Sequence, residues 1–260
     1  MKFIPLCSGS SGNATYIETG DARILIDAGL SCRRICGLLE SVGVSAADLT
    51  AILVTHEHTD HIKGIEILSS KYGIPVYANA DCWAKLIRLC PRILPERMRR
   101  FETDMDFYLG RTRVFPFTTP HDAAHSVGYV IGSAGHKAAV CTDIGHMDKR
   151  MLSLLSGVDI LLLEANHDVD MLMAGPYPYH LKKRILSGEG HLSNEDCGRA
   201  LVALYATGVR NVVLGHLSKE NNFPPLAVET VKSVLGMAGI TDMHIALAKR
   251  DEPTGVFEIG

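Results

Sequence analysis

The sequence predicts an α/β fold in which two β-sheets pack together with helices on the outside. Three observations carry this. Strand-sized apolar runs recur from end to end, separated by glycines and polar turns. Runs with helical spacing interleave with them and grow more frequent toward the C-terminus. The chain has 260 residues, of which 47% are hydrophobic and 21% charged, so it can bury a sizeable core.

The elements follow in order. Residues 14–19 and 22–27 are strand-like and joined by Gly20-Asp21, a hairpin signal with glycine in the turn. Residues 51–55 form a short apolar run that fits a buried strand. Residues 60–72 carry Ile62, Ile65, Leu68 and Tyr72 at helical spacing and predict one helix closed by Gly73. Further strands are expected at 112–117, 127–133, 137–142 and 160–164. Ser193 followed by Asp196 resembles a helix N-cap, and Cys197, Ala200, Leu201 and Leu204 then share one face. Gly208 ends that helix and residues 211–214 return as a strand. Pro224-Pro225 opens a last helix whose inner face would hold Val228, Val231, Leu235 and Ala238. With no linker or low-complexity stretch in between, residues 1–260 read as a single domain.

A net charge of −3 and a pI near 6.4 exclude a strong global attraction to nucleic acid or anionic membranes, though not a local basic patch. No apolar run is long enough to span a bilayer, and the N-terminal run is too short for a signal peptide and contains Pro5. The seven cysteines form no Cys-x-x-Cys pair, which argues against a disulfide framework or a zinc ribbon. Cys32 and Cys36, one helical turn apart, read as two small buried residues. A cytoplasmic location is expected.

The strongest chemical signal is Thr55-His56-Glu57-His58-Thr59-Asp60-His61. Three imidazoles and a carboxylate within six residues suit zinc and neighbouring first-row metals. They leave a strand and enter a helix, where a turn can aim several side chains at one point. Four ligands from one segment crowd a single ion that must keep an open position, so two ions sharing the segment make better sense. Other potential ligands follow strand-like runs elsewhere: Asp27, His121, Asp143 and His216. Polar residues at several strand ends indicate a site assembled along the edge of packed sheets. His125 competes with His121; the placement of His121 directly after a strand favours it. His136, His146 and His244 read as structural or exposed.

The run His56-x-His58-x-Asp60-His61, with Asp27 before it and His121, Asp143 and His216 after it, resembles the ordered motif set of the metallo-β-lactamase superfamily over nearly the whole chain. The resemblance implies a four-layer αββα sandwich of two mixed β-sheets flanked by helices. It implies that His56, His58 and His121 hold one divalent metal, that Asp60, His61 and His216 hold the second, that Asp143 bridges them, and that Asp27 orients a ligand. Zinc is the expected metal, with manganese or iron as alternatives.

The fold does not give the substrate. A carboxylate at Asp143, rather than cysteine, favours a true two-metal site. The Gly128-Tyr129 pair downstream of His121 resembles the phosphodiesterase and nuclease branch rather than thioesterases or lactonases. The stretch Gly190-His191-Leu192-Ser193-Asn194, followed by Gly215-His216-Leu217-Ser218, resembles the end of transfer-RNA-processing nucleases. In that setting a metal-activated hydroxide attacks phosphorus, and His191 is the expected general acid for the leaving oxygen, with Asp60 part of the catalytic centre. Cys7-Ser8-Gly9-Ser10-Ser11-Gly12-Asn13-Ala14 and Glu164-Ala165-Asn166-His167-Asp168 complete a resemblance to the YycJ (WalJ) group of bacterial nucleases, which implies 5′→3′ exonuclease activity on DNA. Neither the long Gly/Pro-rich arm of the transfer-RNA nucleases nor the inserted domain of the RNA exonucleases is present, so DNA is favoured over RNA.

Ser10, Asn13 and Ser218 are candidate substrate contacts, the first two within a small polar run that can present N–H groups to phosphate. Two basic runs can track a phosphate backbone: Lys85, Arg88, Arg92, Arg97, Arg99 and Arg100, and Lys182, Lys183 and Arg184 beside Tyr177 and Tyr179. A solvated basic face is the commoner meaning of such runs. The residues leave two alternatives open, a small-molecule phosphodiesterase for a cyclic nucleotide or ribose phosphate, and a catalytically silent nucleic-acid-binding protein.

Overall fold

A computed structural model describes all 260 residues. The strands in chain order are β1 (Lys2–Cys7), β2 (Ala14–Glu18), β3 (Arg23–Ile26), β4 (Ala51–Leu53), β5 (Val76–Ala78), β6 (Met98–Arg100), β7 (Phe107–Leu109), β8 (Thr112–Thr118), β9 (Val127–Ser133), β10 (His136–Cys141), β11 (Ile160–Glu164), β12 (Asn211–Gly215), β13 (His244–Leu247) and β14 (Phe257–Glu258). The helices are α1 (Cys32–Ser41), α2 (Thr59–Ile62), α3 (Ile65–Tyr72), α4 (Ala80–Leu89), α5 (Lys149–Leu154), α6 (Val169–Ala174), α7 (Tyr179–Ile185), α8 (Asn194–Tyr205) and α9 (Pro224–Met237).

The strands form two seven-stranded mixed sheets, ordered β14-β1-β2-β3-β4-β5-β6 and β13-β12-β11-β10-β9-β8-β7. Each follows one scheme. β1 to β3 pair antiparallel and β3 to β6 pair parallel. In the second sheet β7 to β10 pair antiparallel and β10 to β13 parallel. β14 crosses back to close the first sheet beside β1.

Alternation along the strands sends side chains to two different cores. Ile24 and Ile26 face the other sheet, while Leu25 lies under the helices. In the second sheet Leu162 and Val213 face inward, and Leu161, Leu163 and Leu214 pack outward against α8 and α9. Three apolar layers therefore separate helix, sheet, sheet and helix, which is the four-layer sandwich expected from the sequence.

Residues 60–72 do not form one helix. α2 stops after a single turn and α3 begins at Ile65, with Gly64 between them. A Cβ on Gly64 would lie 2.4 Å from the Leu30 carbonyl oxygen, so the close approach of the loop after β3 requires glycine there. The inner face of α9 is Ala227, Val231 and Leu235; Val228 is half-buried, and Ala238 caps the helix in solvent. Cys32 and Cys36 are half-buried on α1 rather than in the core, their sulfurs 3.9 Å apart.

Candidate metal centre

The site lies where the C-terminal ends of β3, β4, β8, β10, β11 and β12 meet, so both sheets contribute. Asp27 follows β3, His56 to His61 follow β4, His121 follows β8, Asp143 follows β10 and His216 follows β12. Asp27, Asp143 and His216 have φ of 60°, 57° and 53°, left-handed backbone that non-glycine residues adopt at a cost on the order of 1 kcal/mol. The turn ends each strand abruptly and points its side chain back across the sheet edge.

Four ligand-capable groups result, with the nitrogen and oxygen atoms in each within 4.8 Å of one another. They are His56, His58 and His121; Asp60, His61 and His216; His56, His61 and Asp143; and Asp143, Glu164, His191 and His216. Asp143 stands between the first two. Its Oδ1 is 3.3 Å from His216 Nε2 and 3.8 Å from His121 Nε2, and its Oδ2 is 3.3 Å from His61 Nε2. The two histidines left open by the sequence separate clearly. His121 Nε2 lies 3.4 Å from His58 Nδ1, whereas His125 turns away to Asp81 and Thr118.

Cations fit this arrangement. His56 Nε2 and Asp143 Oδ2 are buried and have no hydrogen-bond partner in the fold. Burial holds the His56 imidazole well below its usual range, which keeps it neutral with a lone pair to give. Burial of Asp143 favours its neutral acid, yet His216 and His61 outweigh that and hold the carboxyl well below the usual range. Orphaned lone pairs on a buried imidazole and carboxylate are costly alone and resolved by a divalent ion.

A ring of side chains holds the ligands in place. Asp27 accepts from Thr55 N at 2.9 Å and Thr55 Oγ1 at 2.7 Å, and pairs with His61 Nδ1 at 2.7 Å, leaving His61 Nε2 for the centre. Asn13 is 7% exposed, and its carboxamide is engaged with Gly9, His61 and His216. It therefore sits within the wall that shapes the ligands. Ser10 and Ser218 instead line a cavity beside the centre, together with His191 and His216.

Glu164 belongs to the site and was not singled out for it from the sequence. It is fully buried at the end of β11, 2.7 Å from His191 Nδ1, and accepts from Ile144 N at 2.8 Å. The available signal was a carboxylate closing the apolar run Ile160–Glu164, the same pattern that marks Asp27. Burial disfavours the His191 imidazolium, but Glu164, helped by Asp143 and Asp122, prevails and pushes it up to about 9. The basic runs differ. Arg92 pairs with Glu66, and Arg99 bonds to backbone carbonyls of its own loop. The second run lies on α7, which borders the cavity. No helix is long and apolar enough to cross a membrane.

Comparison with known proteins agrees with this geometry. The family described as "Beta-lactamase superfamily domain" matches residues 22–217. Exodeoxyribonuclease WalJ of Streptococcus pneumoniae is 37% identical over 264 aligned residues, covering 100% of this chain and 98% of the relative. Exodeoxyribonuclease YycJ of Bacillus anthracis is 38% identical over 239 residues, covering 92% of this chain and 90% of the relative. The metallo-β-lactamase fold protein YhfI from Bacillus subtilis superposes with a TM-score of 0.75 at 19% identity, over 99% of each chain. Full-length relatives, family match and four-layer fold converge: the chain belongs to the metallo-β-lactamase superfamily, in the family of the WalJ and YycJ proteins.

Proposed function

We propose that the chain is a metal-dependent phosphodiesterase that degrades DNA as a 5′→3′ exonuclease. The observation that carries this is a pair of ligand groups sharing one carboxylate in a chain 37–38% identical to two exodeoxyribonucleases. His56, His58 and His121 would hold one ion and Asp60, His61 and His216 the other, with Asp143 facing both. Divalent ions there supply Lewis acidity toward a phosphoryl oxygen and a nucleophile at neutral pH. The histidine-rich donor set favours zinc, and the shared carboxylate also suits manganese or iron. Seven free cysteines fit the reducing cytoplasm, where DNA is at hand.

The protein's own contribution to the chemistry centres on His191. Glu164 binds His191 Nδ1 and so fixes the ring with Nε2 free toward the cavity. The raised proton affinity keeps Nε2 protonated at neutral pH, ready for the leaving oxygen. His191→Ala should retain its metal and lose about 100-fold or more in turnover. Turnover should fall on the alkaline side, where the imidazolium is lost. Glu164→Gln should move that alkaline limb to lower pH; an unmoved limb would assign the proton elsewhere.

The deciding experiment is an assay on end-labelled, 5′-phosphorylated duplex DNA with zinc, manganese or chelator, using Asp60→Ala as control. Mononucleotides released from the 5′ end, and abolished by chelator and by the substitution, are the expected result. Intact DNA alongside hydrolysis of an aryl phosphodiester would instead indicate a small-molecule phosphodiesterase.

A further inference from the structure

A cavity of about 170 Å³ opens beside His191 and His216. Part of its wall comes from the arm that carries α6 and α7, through Tyr177, Leu181 and Arg184, and its rim includes Ser10 and Ser218. The return of this arm is tied directly to the centre. His121 Nδ1 bonds to Gly190 O at 3.0 Å, Asp122 N donates to Glu189 O at 3.1 Å, and His191 N donates to Ile185 O at 3.0 Å. Arg184 Nε pairs with Asp122. A Cβ on Gly145 would fall 2.3 Å from the Gly188 carbonyl carbon, so the arm is packed backbone to backbone against the loop after Asp143. A wall fastened at this many points keeps its distance from the metal ligands.

Size and chemistry then select an occupant. An apolar cavity of about 150 Å³ holds one benzene ring, so this cavity with its open side admits about one sugar or base ring. Tyr177 and Leu181 offer an aromatic and an aliphatic surface to such a ring, and ring stacking of this kind tolerates any base. Arg184 is more than a third exposed, and its Nη groups make no hydrogen bond within the protein, which leaves them for an anionic oxygen. The hydroxyls of Ser10 and Ser218 add polar contacts near His216.

We propose that this cavity takes the terminal nucleotide of the strand being degraded, with its sugar or base ring against Tyr177 and Leu181 and Arg184 at one of its phosphate oxygens. This rests on the exonuclease reading and extends it: the arm limits each cut to one nucleotide. On this proposal product length follows from the size of the cavity, which seats one ring beside His191 and His216.

The test uses the metal-loaded full chain and end-labelled oligonucleotides, with product lengths and KM as readouts. The parent should release mononucleotides only. Leu181→Trp fills the cavity and should raise KM for the oligonucleotide threefold or more, with metal content and melting temperature unchanged. Tyr177→Ala opens it and should let dinucleotides into the products. Arg184→Ala should raise KM rather than lower kcat. A Leu181→Trp KM within threefold of the parent, or only mononucleotides from Tyr177→Ala, would overturn the assignment. Should the parent leave DNA intact with every metal tried, the exonuclease reading itself fails, which is a separate result.

Discussion

At the scale of single residues, the centre shows how far a local motif speaks for itself. His56, His58, Asp60 and His61 were legible because their spacing around a strand end is chemically unusual. Glu164 was less so: a carboxylate closing an apolar run marks a strand end, as at Asp27, but nothing local places that end against His191. Asp27 was legible only through its position, and its role suggests a test. It is the partner that fixes His61 Nδ1. Asp27→Ala should weaken metal binding about 10- to 100-fold, read by chelator competition; affinity within threefold of the parent would show that His61 needs no such partner. His167 offers a second test. It is buried, and neither ring nitrogen has a hydrogen-bond partner. Burial, with a smaller contribution from His191, lowers it to about 4, despite the opposing pull of Glu164. The unfolded chain takes up a proton below about pH 6.5 that the fold refuses until about 4, so stability is full above that window and falls with pH through it. From pH 7 to pH 5 this amounts to at most about 2 kcal/mol. His167→Gln should flatten that part of the urea-denaturation profile, and equal slopes would place the acid sensitivity elsewhere.

Elements were legible in proportion to their burial and length. β9, β11 and the helix after Ser193 have strong periodicity and fall where the sequence placed them. β5, β6 and β7 have three residues each, and β13 is only partly buried, so none carries enough pattern to stand out. α1 was missed because two arginines and Gly37 dilute its apolar stripe. The break at Gly64 was missed because the apolar spacing continues across it, and only the distant Leu30 carbonyl explains the interruption. The cap of α8 was legible, being purely local. Ser193 Oγ accepts from Asp196 N at 3.1 Å and donates to Asp196 Oδ2 at 2.8 Å. Ser193→Ala should cost about 1 kcal/mol in urea denaturation with catalytic metal content unchanged. A loss under a few tenths of a kcal/mol would mean that packing of Cys197, Leu201 and Leu204 holds the helix start without the cap.

At the scale of the whole molecule, the two sheets repeat one scheme of antiparallel then parallel pairing, and the centre sits on the seam between them. Asp60 and His61 come from the first sheet and His216 from the second; His56 and His58 come from the first and His121 from the second. Ions held by these groups would tie the two halves together at one end of the inner core, and they would bind the folded state alone, because the unfolded chain cannot assemble either group. Mass action then makes each ion a stabiliser, by about 4 kcal/mol when free metal stands at 1,000 times the dissociation constant of its site. For a chain of this size 1 kcal/mol corresponds to about 2 °C, so chelation should lower the melting temperature by on the order of 8 °C per ion removed. Asp60→Ala and His121→Ala remove one ligand from different groups, and each should keep part of the chelator-sensitive shift. The double substitution should abolish it. A melting temperature indifferent to chelator in the parent would mean that the seam is held by the inner core alone, with Phe3, Ile26, Tyr129 and Leu162 carrying the junction that the ions are argued to share.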